Sequence, residues 1–250
     1  MLFGLFGGLG LFLYGMQQMG DGLQKIAGNK MRRLLEVLTS NRLLGVILGA
    51  AVTAIIQSSS ATTVMVVGFV NAGLMTLNQA IGVIMGANIG TTITAQLIAF
   101  DIGAYALVFV ALGVLPFVFG KRKRWRYVGQ VLVGFGILFL GMETMKSAMA
   151  PLSQTKAFTD LTLALSQNHL YGLILGAAMT AIVQSSSAAI GILQSLSLDG
   201  RITIAMALPI LFGTNIGTTV TALLSSIGTS VTARRAALSH LCFNVIGTVL

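Results

Sequence analysis

Polar positions along this chain interrupt long apolar runs at a few places, and the interruptions recur. Residues 2–19 are predominantly apolar and predict one helical crossing, since about 20 such residues span the hydrocarbon core. Residues 21–42 are polar and carry Lys25, Lys30, Arg32, Arg33 and Arg42. Within them Leu23, Ile26, Leu34, Leu35 and Leu38 predict an apolar stripe lying along a membrane surface. Residues 43–56 are apolar but short, Gln57, Ser58, Ser59 and Ser60 interrupt, and the apolar residues 61–70 are shorter still. Neither piece spans alone, so the pattern predicts a re-entrant helical hairpin with its tip at Gln57–Ser60. Residues 80–100 are long enough to cross but contain the island Gly86–Thr92. Glycine loosens the helix there, Asn and Thr satisfy released backbone groups, and the pattern predicts a broken transmembrane helix. An uninterrupted span at 104–120 ends at the basic run Lys121–Arg126.

The same order then repeats: a span at 127–142, a polar loop, a hairpin at 169–196, a broken span at 204–224 and an apolar segment from 236. The second tip is Gln184-Ser185-Ser186-Ser187, 127 residues after the first. Between Asn41–Thr62 and Asn168–Ala189, 16 of 22 positions are identical. The offset holds for Asn88, Thr91 and Thr92 against Asn215, Thr218 and Thr219. A weaker match pairs Gly8 through Met16 with Gly134 through Met142. The chain thus reads as one unit written twice, residues 1–126 and 127–250. Its end falls inside an apolar run, and a helix over 236–250 would cover only about 22 Å, which predicts a second repeat truncated at its C-terminal end.

Composition turns this pattern into a class. Hydrophobic residues make up 55% of the chain and charged residues 8%, with a mean hydropathy of +0.91, against about 25% charged in soluble domains. The fold expected is an all-α membrane protein. Residues 2–19 lack a basic leader and a cleavage pattern and read as a retained span. The net charge of +9 does not indicate nucleic acid, because no basic face is mixed with aromatics. It orients the chain instead. If each hairpin dips in and returns, each repeat crosses three times and the second is inverted. Of the 15 Lys and Arg, 12 then share one side and only Lys146, Lys156 and Arg201 lie opposite. Single-crossing hairpins would give a 9 to 6 split and parallel repeats. The positive-inside rule selects two inverted-topology repeats and an outside amino terminus.

Inverted repeats with discontinuous helices point to a secondary transporter whose site lies where the repeats meet. Each Gln-Ser-Ser-Ser tip offers hydroxyls, amides and a helix amino terminus, all of which favour an anion. No Lys or Arg falls at the expected midplane, so a co-transported cation must supply compensating charge. Unwound carbonyls near Asn88–Thr92 and Asn215–Thr219 suit Na⁺. Carboxylates are absent from this region, and Asp101, Glu143, Asp160 and Asp199 fall in the expected outer loops or at their edges, which argues against a proton relay. No nucleophile–base pair or transition-metal cluster is visible, so an enzyme is not expected. Lys121–Arg126 reads as an orientation signal, with anionic lipid contact second, and His169 and His240 read as incidental to span ends. Residue types alone leave open another small oxyanion or a dicarboxylate as cargo, or a non-transporting membrane scaffold or regulator.

The paired Gln-Ser-Ser-Ser motifs, each followed by Asn-Ile-Gly-Thr-Thr, resemble the type II sodium/phosphate cotransporters and their bacterial relatives. The resemblance covers nearly the whole chain. It implies sodium-coupled symport of inorganic phosphate in the cell membrane, with no cofactor beyond Na⁺ as coupling ion. By position, it implies that Gln57, Ser58, Ser59, Ser60, Gln184, Ser185, Ser186 and Ser187 form the substrate and sodium shell. It gives Asn88, Thr91, Thr92, Asn215, Thr218 and Thr219 a sodium-binding or supporting role.

Overall fold

The computed structural model describes residues 2–27, 42–99, 103–149, 151, 156, 160, 168–198 and 202–250. These are helical nearly throughout. In chain order the helices are α1 (Leu2–Ala27), α2 (Arg42–Ile56), α3 (Ser59–Asn71), α4 (Leu77–Ala99), α5 (Ala106–Phe119) and α6 (Lys123–Met149). They continue with α7 (His169–Val183), α8 (Ser186–Leu198), α9 (Ile204–Ser225) and α10 (Val231–Val249). Among the described residues, α4, the stretch Lys123–Ala148 of α6, and α9 are long and apolar enough to cross a membrane.

Several expectations need correction. The first helix runs to Ala27, so Leu23 and Ile26 continue α1 instead of starting a surface stripe; Leu34, Leu35 and Leu38 lie outside the described residues. Lys123, Arg124 and Arg126 belong to the first turn of α6 and not to a loop. The last helix begins at Val231 and covers 19 residues, about 28 Å. Most importantly, the islands do not break their helices. Both α4 and α9 pass through Gly86–Thr92 and Gly213–Thr219 without interruption.

The chain separates into two compact units. The first holds Met1–Ile26, Ala95–Gly172 and Ala188–Ile210. In it α1 and α6 run antiparallel with their backbones almost touching. A Cβ on Gly15 would lie 2.3 Å from the Leu138 nitrogen, and one on Gly141 would lie 2.3 Å from the Phe12 nitrogen. Gly8 faces Gly141 while Gly15 faces Gly134, so the matched positions of the two repeats contact one another reciprocally. Phe12, Met19, Leu138, Phe139, Met142 and Met145 fill the core beside this crossing.

The second unit holds Ala27–Thr94, Leu173–Ser187 and Leu211–Leu250. Here α2 lies parallel to α4, with Gly86 against Val46 and Ala50, and Gly90 against Ala50 and Thr53. In the second copy Gly213 meets Leu173 and Ala177, and Gly217 meets Ala177 and Thr180. These are the same contacts 127 residues on. The island glycines therefore serve close approach, since a Cβ at Gly86 or Gly213 would sit 2.0 or 2.1 Å from a carbonyl oxygen of the neighbouring helix. Val66, Val67 and Val70 of α3 share a core with Ala233, Ala236 and Ala237 of α10. The Ser230 amide donates to Asn71 Oδ1 at 2.8 Å, so α10 starts where α3 ends and runs back along it.

Candidate binding site at the two helix breaks

The sequence is interrupted at Gln57-Ser58 and Gln184-Ser185, and there the helices stop. Both glutamines take a left-handed backbone, φ 59° and 57°, and are the described non-glycine residues with positive φ. A long side chain in that region costs of order 1–3 kcal/mol and persists only where surrounding contacts enforce it. The contacts are the same twice. The Gln57 and Gln184 amides donate to the Thr53 and Thr180 carbonyls at 2.7 Å, closing the last turn. Each side-chain Nε2 donates to a carbonyl of that turn, on Ala54 or Ala181. Each Oε1 accepts a hydroxyl from the neighbouring parallel helix: Thr94 at 2.9 Å for Gln57, and Thr221 for Gln184. The glutamine thus ties the end of one helix to the flank of the next, and its oxygen and one of its amide hydrogens are engaged in doing so.

Beyond each glutamine a new helix starts within two residues. In the first copy Ser58 is the cap, its Oγ accepting from the Ala61 amide at 3.1 Å. The amides of the first turn have no intrahelical acceptor and point out of the helix start. The chain turns back here: Thr53 Oγ1 donates to Thr62 Oγ1 at 3.0 Å, although nine residues of straight helix would separate them by about 13.5 Å. Thr62 passes the bond on to the Ser58 carbonyl at 3.0 Å, and Thr63 donates to the Ser59 carbonyl at 2.9 Å. Ser59, Ser186 and Ser187 are buried, whereas Ser58, Ser60 and Ser185 are half-buried.

The island side chains behave differently from expectation. Asn88 donates to the Ile84 carbonyl, Thr91 to Ala87 and Thr92 to Ile89. In α9, Thr218 donates to Thr214 and Thr219 to Ile216. These bonds go back one turn of an intact helix, which Thr accommodates without a break. The backbone carbonyls are consequently not released, and the unwound cation cage expected at Asn88–Thr92 and Asn215–Thr219 is not formed. The threonines that reach the glutamines are Thr94 and Thr221, each two residues beyond its island. The same 127-residue offset relates them, a signal the sequence carries. His240 is another correction. It is fully buried on α10, and neither ring nitrogen has a partner among the described residues. Ten residues after Ser230, about 15 Å, it lies back toward the first turn of α3.

Both tips and both islands fall within the same compact unit. A match to the Na⁺/Pi-cotransporter family covers residues 11–147 and again 148–249. The chain belongs to this family. It is 34% identical over 239 residues to the uncharacterized protein YqeW of Bacillus subtilis, covering 96% of this chain and 78% of that one. It is 29% identical over 246 residues to the putative inorganic phosphate export protein YjbB of Escherichia coli K12, covering 98% of this chain and 45% of that protein. A shorter stretch of 97 residues is 38% identical to the human sodium-dependent phosphate transport protein 2B, covering 38% of this chain and 14% of that one. This chain therefore spans less than half of its phosphate-export relative. No solved structure matches it. A membrane transporter family for phosphate and sodium agrees with the apolar helices found here.

Proposed function

We propose that this chain carries inorganic phosphate across the cell membrane in symport with Na⁺, through two inverted repeats with the amino terminus outside. The observation that carries the reading is the doubled elbow. At each one a helix ends on a left-handed glutamine and another begins within two residues, so a negative helix end and a positive helix start lie side by side. The amides and hydroxyls opening α3 and α8, from Ser58, Ser59, Ser60, Ser185, Ser186 and Ser187, suit a tetrahedral oxyanion. The carbonyl ends of α2 and α7 suit Na⁺. Gln57 and Gln184 fasten the ends of α2 and α7 to the parallel helices α4 and α9 through Thr94 and Thr221. Asn88, Thr91, Thr92, Asn215, Thr218 and Thr219 support that arrangement from the packed helices α4 and α9.

Inversion is supported by the reciprocal glycines of α1 and α6. Equivalent helices that meet antiparallel, each position contacting its partner's counterpart, have the isologous pattern of a twofold axis. The helix starts supply only about half a charge each, too little for a divalent anion in low dielectric, and bound Na⁺ supplies the remainder. Export is the second reading, favoured by the name of the E. coli relative.

Proteoliposomes test both. Phosphate uptake should rise with an inward Na⁺ gradient and collapse without one, while sulfate and dicarboxylates compete poorly. Uptake indifferent to Na⁺ would remove the coupling. Phosphate movement only out of loaded vesicles, with sidedness fixed by labelling, would select export.

A further inference from the structure

The first unit also contains a cavity with a cationic lining. A cavity of about 450 Å³ opens beside α1 and α6, lined by Gln18, Asp21, Lys25, Lys123, Arg126, Tyr127 and other residues. Part of its lining is hydrogen-bonded across the two helices. Gln130, buried, donates from Nε2 to Gln18 Oε1 at 2.8 Å and accepts from Lys25 Nζ at 3.3 Å. The Lys25 ammonium also lies 5.8 Å above the Tyr127 ring, which holds it over the cavity. Helical spacing selects the other two cations from the basic run: Lys123, Arg126, Tyr127 and Gln130 share one face of α6, whereas Arg122 and Arg124 do not line the cavity. Three cations face one carboxylate, Asp21, and none of them is ion-paired among the described residues. The opening turn of α6 adds the positive end of a long helix.

We infer that this cavity binds a phosphate group, with Arg126 as the bidentate donor and Lys25 and Lys123 as point charges. The group is either free inorganic phosphate or the headgroup of an anionic lipid. The site does not depend on the transport reading. Trp125, the one tryptophan of the chain, is exposed one residue before Arg126, a cavity-lining residue.

The full chain in neutral detergent is titrated with inorganic phosphate at constant ionic strength set by chloride. In parallel it is titrated with vesicles of phosphatidylglycerol or of phosphatidylcholine, following Trp125 emission. A saturable change with phosphate identifies the free ion, and one with phosphatidylglycerol alone identifies the headgroup. The double variant Lys123→Gln/Arg126→Gln should weaken the response at least about tenfold, the loss of one charge-assisted bond. Arg122→Gln/Arg124→Gln, which removes the same charge from outside the cavity, should leave it unchanged. If circular dichroism shows the first variant unfolded, Arg126→Lys should still weaken binding severalfold by removing the fork. No saturable change in any arm, or equal losses in both double variants, would overturn the site.

Discussion

The two helix breaks share a backbone, yet they are not equally supported. In the first, Thr53 donates to Thr62, which donates to the Ser58 carbonyl, and Gln57 above them is buried. In the second, Ala189 stands where Thr62 does in the first copy. The Thr180 hydroxyl, fully buried, has no partner among the described residues, and Gln184 is exposed. What both copies keep is the left-handed glutamine, its threonine partner on the parallel helix and the glycines that bring that helix close. One substitution marks the line between them: the clamp at the break is repeated, and the hydroxyl chain behind it belongs to the first copy alone.

The largest expected effect comes from what the copies share. Gly86→Ala and Gly213→Ala would each force a methyl onto a backbone carbonyl, and overpacking of this kind costs about 1–3 kcal/mol or more. Both should sharply lower the amount of monodisperse protein recovered from membranes. Gly68→Ala, on α3 where a methyl meets nothing within 4 Å, should be neutral or stabilising. Equal behaviour of all three would mean that the close approach of these helices is not needed.

Next come the clamps. Removing Gln57 or Thr94 should cost transport far more than folded yield, and the two losses should not add. A double-mutant cycle of Gln57→Ala with Thr94→Val should give a coupling of about 0.5–3 kcal/mol in apparent phosphate affinity, as should Gln184→Ala with Thr221→Val. Additive losses at one break and coupled losses at the other would show that a single tip works. Because φ is near +60° at both positions, Gln57→Gly should fold more stably than Gln57→Ala by about 1 kcal/mol. Thermal unfolding in detergent compares them.

The hydroxyl chain gives the smallest effect and the sharpest contrast. Thr53→Val breaks a made bond and should lower stability by about 1 kcal/mol. Thr180→Val removes an orphaned hydroxyl and should be neutral or stabilising. Matching losses for both valines would place an unseen partner on Thr180.

Much of this was legible because the membrane leaves few options. A polar cluster inside apolar sequence has no water to satisfy it, so Gln57–Ser60 and Gln184–Ser187 stood out as places where helices end, and helices do end there. The islands were misread for an equally physical reason. Glycine beside Asn and Thr describes a broken helix and an intact, closely packed helix equally well. Threonine can return its hydroxyl to its own helix, and whether glycine loosens a backbone or admits a neighbour depends on where that neighbour lies.

By itself, then, the sequence determined the class, the duplication and the two breaks, because hydrophobic length and repeated polar residues constrain the chain locally. Tertiary structure alone decided that α4 and α9 stay whole, that Thr94 and Thr221 rather than the paired threonines before them hold the glutamines, and that His240 is buried. Each of these depends on which helix comes to lie alongside, and the hydropathy of a single segment carries no record of its neighbour.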